Sequence, residues 1–247
     1  MFIDSHAHLV DERLTGFVPN NDIDAIVTSS YKASNIEKTL NIAFQNKNCF
    51  ETLGIHPQFC DEYNVDVEKY IISQKSQPKF VAMGEIGLDK NYDNDFTTQK
   101  RTFTKQLNIA QELQLPVVCH IRGCFDVFFD IIRHYDNLKL MLHAFCGTKL
   151  DCFKAIDLGA YISFACNITY KRHDDLRKIA AAMPLEKLLI ETDSPSMLPA
   201  KFMRKGSNTP NNVYFVAETI ANARNTILDE IACATKQNAI DLFKLKL

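Results

Sequence analysis

Short apolar segments alternate with longer amphipathic segments along nearly the whole chain, and this alternation constrains the fold more than any other feature. Eight segments of four to six residues are apolar and end at polar or turn-forming residues, as buried β-strands do. The predicted strands are Phe2–Ala7, Ala25–Ser29, Phe50–Ile55, Phe80–Glu85, Pro116–His120, Leu140–His143, Tyr161–Phe164 and Leu188–Glu191.

Eight longer segments have the periodicity of amphipathic helices. The clearest is Thr97–Leu113, in which Phe103, Leu107, Ala110 and Leu113 recur at intervals of three and four residues. The other predicted helices are Asn35–Gln45, Val65–Ser76, Phe125–Arg133, Leu150–Leu158, Asp174–Met183, Asn211–Arg224 and Asp229–Leu242.

Helical crossovers between successive strands predict a parallel sheet, because parallel neighbours cannot be joined by a tight hairpin. Eight such strands close into a barrel, and the 247 residues of this chain fit the roughly 250 residues of such barrels. We therefore predict an α/β fold, a (β/α)8 TIM-type barrel, as a single domain over residues 1–247. An open doubly wound sheet is the alternative, but it usually carries a glycine-rich turn after its first strand, where this chain has HAHL.

The first crossover is the exception to this regular alternation. Only Leu9–Asp24 separates the first two strands, and this segment contains Gly16 and Pro19. Glycine and proline interrupt helices, so we predict that the first crossover helix is shortened or absent.

Composition excludes several classes of protein. The net charge is −2, so the chain as a whole is not a polycation that binds nucleic acid by charge alone. The eight cysteines form no CxxC pair, and Cys119, Cys146 and Cys166 lie in or beside strand-like segments, which predicts buried thiols in a reducing compartment. The N-terminus does not resemble a signal peptide, and no apolar segment approaches membrane-spanning length. We expect a cytoplasmic or otherwise intracellular protein with no membrane partner.

Polar residues that can bind metals or transfer protons recur at the predicted strand ends. The carboxyl ends of barrel strands meet at one mouth, where enzymes of this architecture carry their chemistry. Alternate residues of a strand share a face, so Glu85 is expected to face inward with Met83, and His120 with Val118. The strand-end residues are His6, His8, His56, Glu85, His120, His143 and Asp193.

Each of these residues has an ordinary structural explanation when taken alone. A histidine at a strand end is usually hydrogen-bonded in place, and an aspartate before Ser-Pro can begin a helix. Together they place four candidate imidazole ligands and two carboxylates at one mouth, where unpaired acids are costly to bury. Divalent cations remove that cost, so the set predicts a metal centre.

The segments that carry these residues also resemble a known family. DSHAHL, GIHPQ, GEIGLD, PVVCHIR, LHAFCG and ETDSPSMLP, followed by SNTPNNV, are similar in sequence and order to the TatD-type metal-dependent deoxyribonucleases of the amidohydrolase superfamily. The resemblance covers essentially the whole chain. The chain departs from the family in its short first crossover and in LHAFCG, where a serine often precedes the glycine, and neither departure removes a candidate ligand.

The resemblance implies a divalent-metal-dependent hydrolase that holds one or two ions and cleaves phosphodiesters with metal-activated water. Asp193 and Glu85 would be its catalytic carboxylates. Imidazole and carboxylate ligands suit Mn²⁺, Zn²⁺, Fe²⁺ or Co²⁺, whereas Mg²⁺, often named for the family, prefers more oxygen. The implied ligands are His6, His8 and Asp193 for one ion, His120 and His143 for a second, and Glu85 as a bridge.

Three further residues are assigned from their positions near these ligands. His56 either contacts substrate or caps the His-Pro turn, and the resemblance favours substrate contact. Arg122, two residues after His120, either binds a phosphate through its guanidinium or forms a salt bridge at the rim. Asp4 is expected to face inward and to orient a ligand imidazole.

Basic residues follow several predicted strands and are therefore expected around the same mouth. A narrow mouth with a few cations suits single-stranded or frayed DNA ends better than a long duplex, which predicts exonuclease-like cleavage. Two alternatives stay open: a hydrolase of aminoacyl or small-molecule esters, amides or phosphoesters that uses the same centre, and a noncatalytic metal- or nucleic-acid-binding protein. The basic residues are Lys90, Arg122, Lys149, Lys171, Arg172, Lys201, Arg204 and Lys205.

Overall fold

A computed structural model describes residues 1–203 and 206–247, and its eight strands form one parallel sheet in sequence order. The predicted (β/α)8 barrel is thereby confirmed. The fourth and fifth strands run further than expected, and the eighth ends at Ile190, before the predicted site residue Asp193. The strands are β1 (Phe2–Ala7), β2 (Ile23–Ser29), β3 (Cys49–Leu53), β4 (Phe80–Asp89), β5 (Val117–Arg122), β6 (Leu140–Leu142), β7 (Tyr161–Phe164) and β8 (Leu188–Ile190).

The seam between β1 and the chain at the end of β8 nearly closes the barrel. The backbone N–H of His8 donates to the carbonyl oxygen of Ser194 at 2.7 Å. The buried Asp4 carboxylate accepts from the backbone N–H of Thr192 at 2.8 Å and from the Thr192 hydroxyl at 2.5 Å. A side chain thus supplies hydrogen bonds that a regular strand pair would form through its backbone.

Helices cover the outside of the sheet everywhere except at the first crossover. Between β1 and β2 the described chain forms only a short 3-10 turn, Glu12–Leu14, which confirms the predicted loss of that helix. Two helices follow β8, as predicted, and the second of them packs against both β1 and β8. The helices are α1 (Ile36–Gln45), α2 (Val65–Ser73), α3 (Phe96–Leu113), α4 (Phe125–Ile132), α5 (Lys149–Asp157), α6 (Asp174–Ala182), α7 (Val213–Arg224) and α8 (Leu228–Phe243).

The apolar core has two parts, one inside the barrel and one between the barrel and its helices. Val118 and Met141 lie in the inner part, where the end of α8 also packs through Leu242 and Phe243. Met83 lies in the outer part. The expectation that Met83 and Glu85 share the inward face is therefore wrong, because the register of β4 against β5 shifts between Met83 and Ile86.

The eight cysteines are free thiols, and six of them are buried. Cys146 is exposed rather than buried as expected, because it lies in the turn after β6. Within the described residues, no helix combines the length and the apolar character needed to cross a membrane.

Candidate metal centre

Glu85 lies at the centre of the mouth, and its two carboxylate oxygens face different groups of side chains. Oε2 lies 3.5 Å from Nε2 of His6 and 3.3 Å from Nε2 of His8. Asp193 joins this group, because its Oδ1 lies 3.4 Å from Nε2 of His8 and 3.8 Å from Nε2 of His6. These four side chains surround a point that one cation could occupy.

The other oxygen of Glu85 faces the opposite wall. Oε1 lies 2.8 Å from Nδ1 of His120, 3.1 Å from Nε2 of His143 and 3.4 Å from Nε2 of His56. The structure thus brings all six predicted ligands together, with Glu85 between two groups. His56 also lies against Glu85, closer to the centre than a residue that only contacts substrate would need to be.

Close backbone approaches place Glu85 and His120 side by side. A Cβ at Gly87 would lie 1.8 Å from the carbonyl oxygen of His120. A Cβ at Gly84 would lie 2.7 Å from Cβ of Val118. Only glycine fits either position, so the two glycines of GEIG bring β4 against β5 at the level of the site.

Asp193 is held in the left-handed region of backbone conformation, with φ of 52°. This conformation is uncommon for residues other than glycine and costs energy. Its N–H donates to the carbonyl oxygen of His6 at 3.1 Å, and its carbonyl accepts from the N–H of Ser196 at 2.9 Å. These bonds hold the carboxylate at the mouth although β8 ends three residues earlier.

The outer ring nitrogens of His6 and His8 both bond to Ser29. Nδ1 of His8 donates to the carbonyl oxygen of Ser29 at 3.1 Å. Nδ1 of His6 lies 3.1 Å from the Ser29 hydroxyl, which in turn lies 2.6 Å from the Thr52 hydroxyl. With Nδ1 protonated, each ring directs the lone pair of Nε2 toward Glu85 and Asp193, as a metal-binding histidine does.

Two acidic residues accept hydrogen bonds from the outer ring nitrogens of the other two candidate ligand imidazoles, His143 and His120. Nδ1 of His143 donates to Oε1 of Glu191 at 2.7 Å. Nε2 of His120 donates to Oδ2 of Asp89 at 2.9 Å, which leaves Nδ1 of His120 facing Glu85. Carboxylates that hold the outer nitrogen of a ligand imidazole are common at metal sites and increase ligand basicity.

His56 differs from the four other imidazoles at the mouth. Its Nδ1 accepts the backbone N–H of Gln58 at 3.1 Å, so its proton lies on Nε2, the atom that faces Glu85. Burial lowers the pKa of His56 to about 3, and the ring stays neutral. His56 therefore both caps the His-Pro turn and presents a hydrogen-bond donor, rather than a lone pair, to the centre.

The charges of the cluster favour cations. Burial by itself would raise the pKa of Glu85, but the charge of His143 holds that pKa well below its ordinary value. Burial by itself would lower the pKa of His8, but hydrogen bonds to Asp193 and Glu85 raise it to about 10. The carboxylates are therefore ionised and attract positive charge, which protons or divalent ions can supply.

The donor atoms fit a divalent cation in chemistry and in spacing. Two ligands about 2.1 Å from one ion at tetrahedral angles are about 3.4 Å apart. The distances among His6, His8, Glu85 and Asp193 run from 3.3 to 3.8 Å. Imidazole nitrogens and carboxylate oxygens are ligands of Zn²⁺ and of the neighbouring transition metals.

The position of Asp4 corrects the role expected for it. Its carboxylate bonds to Thr192 and, at 3.4 Å, to the backbone N–H of His6 rather than to a ligand imidazole. Burial raises the pKa of Asp4 well above its ordinary value. Asp4 therefore stabilises the β1–β8 seam, and Ser29, Asp89 and Glu191 are the residues that orient imidazoles.

A cavity of about 370 Å³ opens onto the metal centre. Of the predicted basic residues that the structure describes, only Arg122 lines it, with a guanidinium nitrogen 4.0 Å from Asp89. Arg13, which the sequence did not single out, lines the cavity as well. Arg204 and Lys205 lie outside the described residues. The basic mouth is therefore smaller than the sequence predicted.

The chain is similar to known proteins over almost its whole length. The sequence profile of the family described as TatD related DNase matches residues 3–244. The 3'-5' ssDNA/RNA exonuclease TatD of Escherichia coli (strain K12) is 33% identical over 216 residues, which cover 84% of this chain and 82% of that protein. The metal-dependent hydrolase YabD of Bacillus subtilis (strain 168) is 27% identical, over 99% of this chain and 100% of that protein.

A solved structure shares both the fold and part of the sequence. The TatD homologue YJJV from Escherichia coli K12 superposes with a TM-score of 0.92 at 28% identity, and covers 99% of this chain and 98% of its own. The family match, the relatives and the donor atoms around Glu85 agree with one another. The chain belongs to the TatD-related DNase family and is a metal-dependent hydrolase.

Proposed function

We propose that this enzyme removes nucleotides from the 3' ends of single-stranded DNA by hydrolysis of phosphodiester bonds, and that it accepts single-stranded RNA as well. The observation that carries the proposal is the arrangement around Glu85, where four imidazoles direct ring nitrogens at its two oxygens. Relatives named 3'-5' ssDNA/RNA exonuclease support the polarity and the preference for single strands.

Two divalent ions are part of this proposal. When bound, such ions supply Lewis acidity to the phosphodiester and lower the pKa of water. Mn²⁺, Zn²⁺, Fe²⁺ and Co²⁺ suit the donor set, and Mg²⁺ suits it less because four donors are nitrogens. His6, His8 and Asp193 would hold one ion and His120 and His143 the other, and Glu85, which faces both groups, would contribute to either.

Asp193 acts as the general base. Its carboxylate accepts the proton of the attacking water, because it is ionised and faces the cavity from a fixed backbone position. Although burial acts against ionisation, a hydrogen bond to His8 keeps the pKa of Asp193 below its ordinary value. Glu85, which faces both groups of imidazoles, keeps the two halves of the centre in register.

Three side chains at the cavity can donate hydrogen bonds to the phosphates of the substrate. The Nε2–H of His56 reaches a nonbridging oxygen of the phosphate at the centre, and it does so without a charge that pH could change. Arg122 lies further out, with 57% of its side chain exposed, and its guanidinium can contact a neighbouring phosphate. Arg13 offers a second guanidinium at the cavity edge.

The size of the cavity supports action at a strand end. About 370 Å³ is near the lower limit for pockets that bind small molecules. One nucleotide fits this space, and a base-paired duplex does not. A free, unpaired end is therefore the form of DNA that brings a phosphate to Glu85.

A defined oligonucleotide assay tests the proposal. Metal-stripped enzyme is incubated with 5'-labelled single-stranded and blunt duplex DNA after return of each of the five ions, beside a panel of carboxyl esters. We expect a ladder shortened from the 3' end of the single strand and slower loss from the duplex. No shortening with any ion, or faster turnover of a carboxyl ester, would refute the nuclease.

The role of Asp193 has its own test. Asp193→Asn should lower kcat by at least about 100-fold, the lower range for general-base catalysis. Asp175→Asn, an exposed aspartate at the start of α6, is the matched control and should leave kcat unchanged. A full rate for Asp193→Asn with both ions bound would exclude this role.

A further inference from the structure

Three aromatic side chains line the cavity, Tyr31, Phe59 and Tyr92, and metal binding does not explain them. Two of them, Tyr31 and Phe59, lie next to each other on the side of His8. Tyr31 follows β2 and its ring centroid lies 5.2 Å from that of His8, at an angle of 89°. Phe59 lies in the 3-10 segment after β3, with its ring 5.8 Å from that of Tyr31 at an angle of 40°. Both side chains are half-buried and line the cavity above Glu85.

The platform formed by Tyr31 and Phe59 is held in place from behind. Phe59 packs against the core between the barrel and its helices, while part of its ring stays open to the cavity. The ammonium of Lys32 lies 5.8 Å from the ring centroid of Tyr31 and 5.7 Å from that of Phe59. Rings fixed in this way lose little freedom when a flat ligand stacks on them.

We infer that Tyr31 and Phe59 stack the base of the 3'-terminal nucleotide while its phosphate lies at Glu85. This inference rests on the proposed nuclease function. Every nucleobase has a flat aromatic face, so stacking favours an unpaired end without selecting a sequence. The contact between Tyr31 and His8 puts the platform one nucleotide from the centre, because a base and its own phosphate are neighbours along the strand.

The opposite side of the cavity is suited to the rest of the strand. Arg122 is the last residue of β5, three strands around the barrel from β2, and its guanidinium is exposed. Its positive charge can contact backbone phosphates without holding a base, and Tyr92, the aromatic residue on this side, lies edge-on to His56 with the ring centroids 5.6 Å apart. The strand therefore runs from Arg122 to the metal centre and ends at the platform.

An oligonucleotide whose 3'-terminal nucleotide lacks its base tests the stacking contact by itself, because it keeps the sugar and the phosphate. We compare KM for two single-stranded oligonucleotides that differ only in whether the 3'-terminal nucleotide carries a base. The wild type should show a KM about tenfold higher for the abasic end, the effect expected for loss of one stacked base. Equal KM values for the wild type would overturn the platform whatever the variants do.

Variants then assign the effect to the rings. Tyr31→Phe should keep the ratio of KM values, and the double change Tyr31→Leu with Phe59→Leu should reduce it to about one. Tyr70→Leu, an exposed tyrosine on α2 outside the cavity, is the matched control and should keep the wild-type ratio. A double variant that keeps the full ratio would contradict the inference. If the wild type shortens neither oligonucleotide, the nuclease itself fails, an outcome distinct from equal KM values.

Discussion

Oε1 of Glu191 accepts from Nδ1 of His143 at 2.7 Å. The same oxygen accepts from the backbone N–H of Ala144 at 2.8 Å, and Ala144 has a positive φ of 41°. One buried carboxylate oxygen therefore fixes both the ring of His143 and the turn that follows it. If the proposed metal centre forms, Glu191 is therefore a positioning residue for His143.

Replacement of Glu191 by glutamine should weaken metal binding. The amide carries no charge to support the N–H of His143, so the basicity of Nε2 falls, and we expect a 10- to 100-fold loss of affinity. Calorimetric titration of the metal-free wild type and variant with Zn²⁺ or Mn²⁺ measures the difference in affinity. Glu51→Gln makes the same chemical change at another buried glutamate, outside the site, and is the control. Unchanged affinity in the Glu191 variant would refute the positioning role.

The close approach of β4 to β5 predicts that Gly87 cannot be replaced. In Gly87→Ala the new methyl group would overlap the carbonyl oxygen of His120, so the strands must separate. We expect the free energy of unfolding to fall by at least about 3 kcal/mol, as severe overpacking requires. Urea unfolding measures the change.

Gly159→Ala is the matched control for this substitution. Gly159 also has a positive φ, of 86°, but a Cβ there would meet no atom within 4 Å. The backbone penalty by itself should be about 1 kcal/mol. If both variants lose the same stability, crowding at His120 is not the cause.

Glu51 predicts a dependence of stability on pH. Burial on β3 raises its pKa to about 7, partly offset by the charge of Lys79. The folded state holds the proton of Glu51 more tightly than the unfolded state does. The contribution of Glu51 to the free energy of unfolding is therefore complete below pH 4.5 and is lost as the pH rises through about 7. Glu51→Gln should therefore match the wild type at pH 4.5 and exceed its stability by about 1–3 kcal/mol at pH 8. Equal unfolding curves for the two proteins at pH 8 would contradict this assignment.

Metal binding should release protons from the site. The carboxylates of Asp193 and Glu85 raise the pKa of His8 to about 10, so metal-free protein retains that proton at neutral pH. Because a metal ligand must be deprotonated, the apparent affinity should rise with pH from 6 to 9, by up to about tenfold per unit for each proton displaced. Calorimetry in buffers of different ionisation enthalpy counts the protons. An affinity independent of pH would show that His8 is not a ligand.

Much of the barrel could be predicted because each strand and helix carries its own local pattern. The register of β4 could not, since it depends on how closely β5 approaches Gly84 and Gly87. The alternation of residues along β4 correctly predicted that Glu85 faces the mouth. It wrongly predicted that Met83 shares that face. The predicted end of β8, Glu191, is one residue beyond the observed end at Ile190. The left-handed conformation of Asp193 could not be predicted, because it is set by bonds to distant backbone.

The candidate ligands could be predicted from the sequence, but most of the residues that orient them could not. Candidate ligands stood out because polar residues are rare at the ends of buried strands. The residues that orient them did not, since a ring's outer nitrogen is satisfied by neighbours on other strands. Asp89 had a usable signal, as a second acid four residues after Glu85 in GEIGLD. Ser29 and the platform residues had none.

The seam where Asp4 bonds to Thr192 joins segments 188 residues apart, and α8 packs behind it. Ribosomes release the N-terminal part of a chain first, so His6 and His8 emerge long before the residues that surround them. β1 can pair with β2 early, but its contacts on the other side, with β8 and α8, form only after those late segments have been synthesised. A chain that is still being synthesised therefore lacks a complete candidate metal centre until Asp193 and the seam around it have been made.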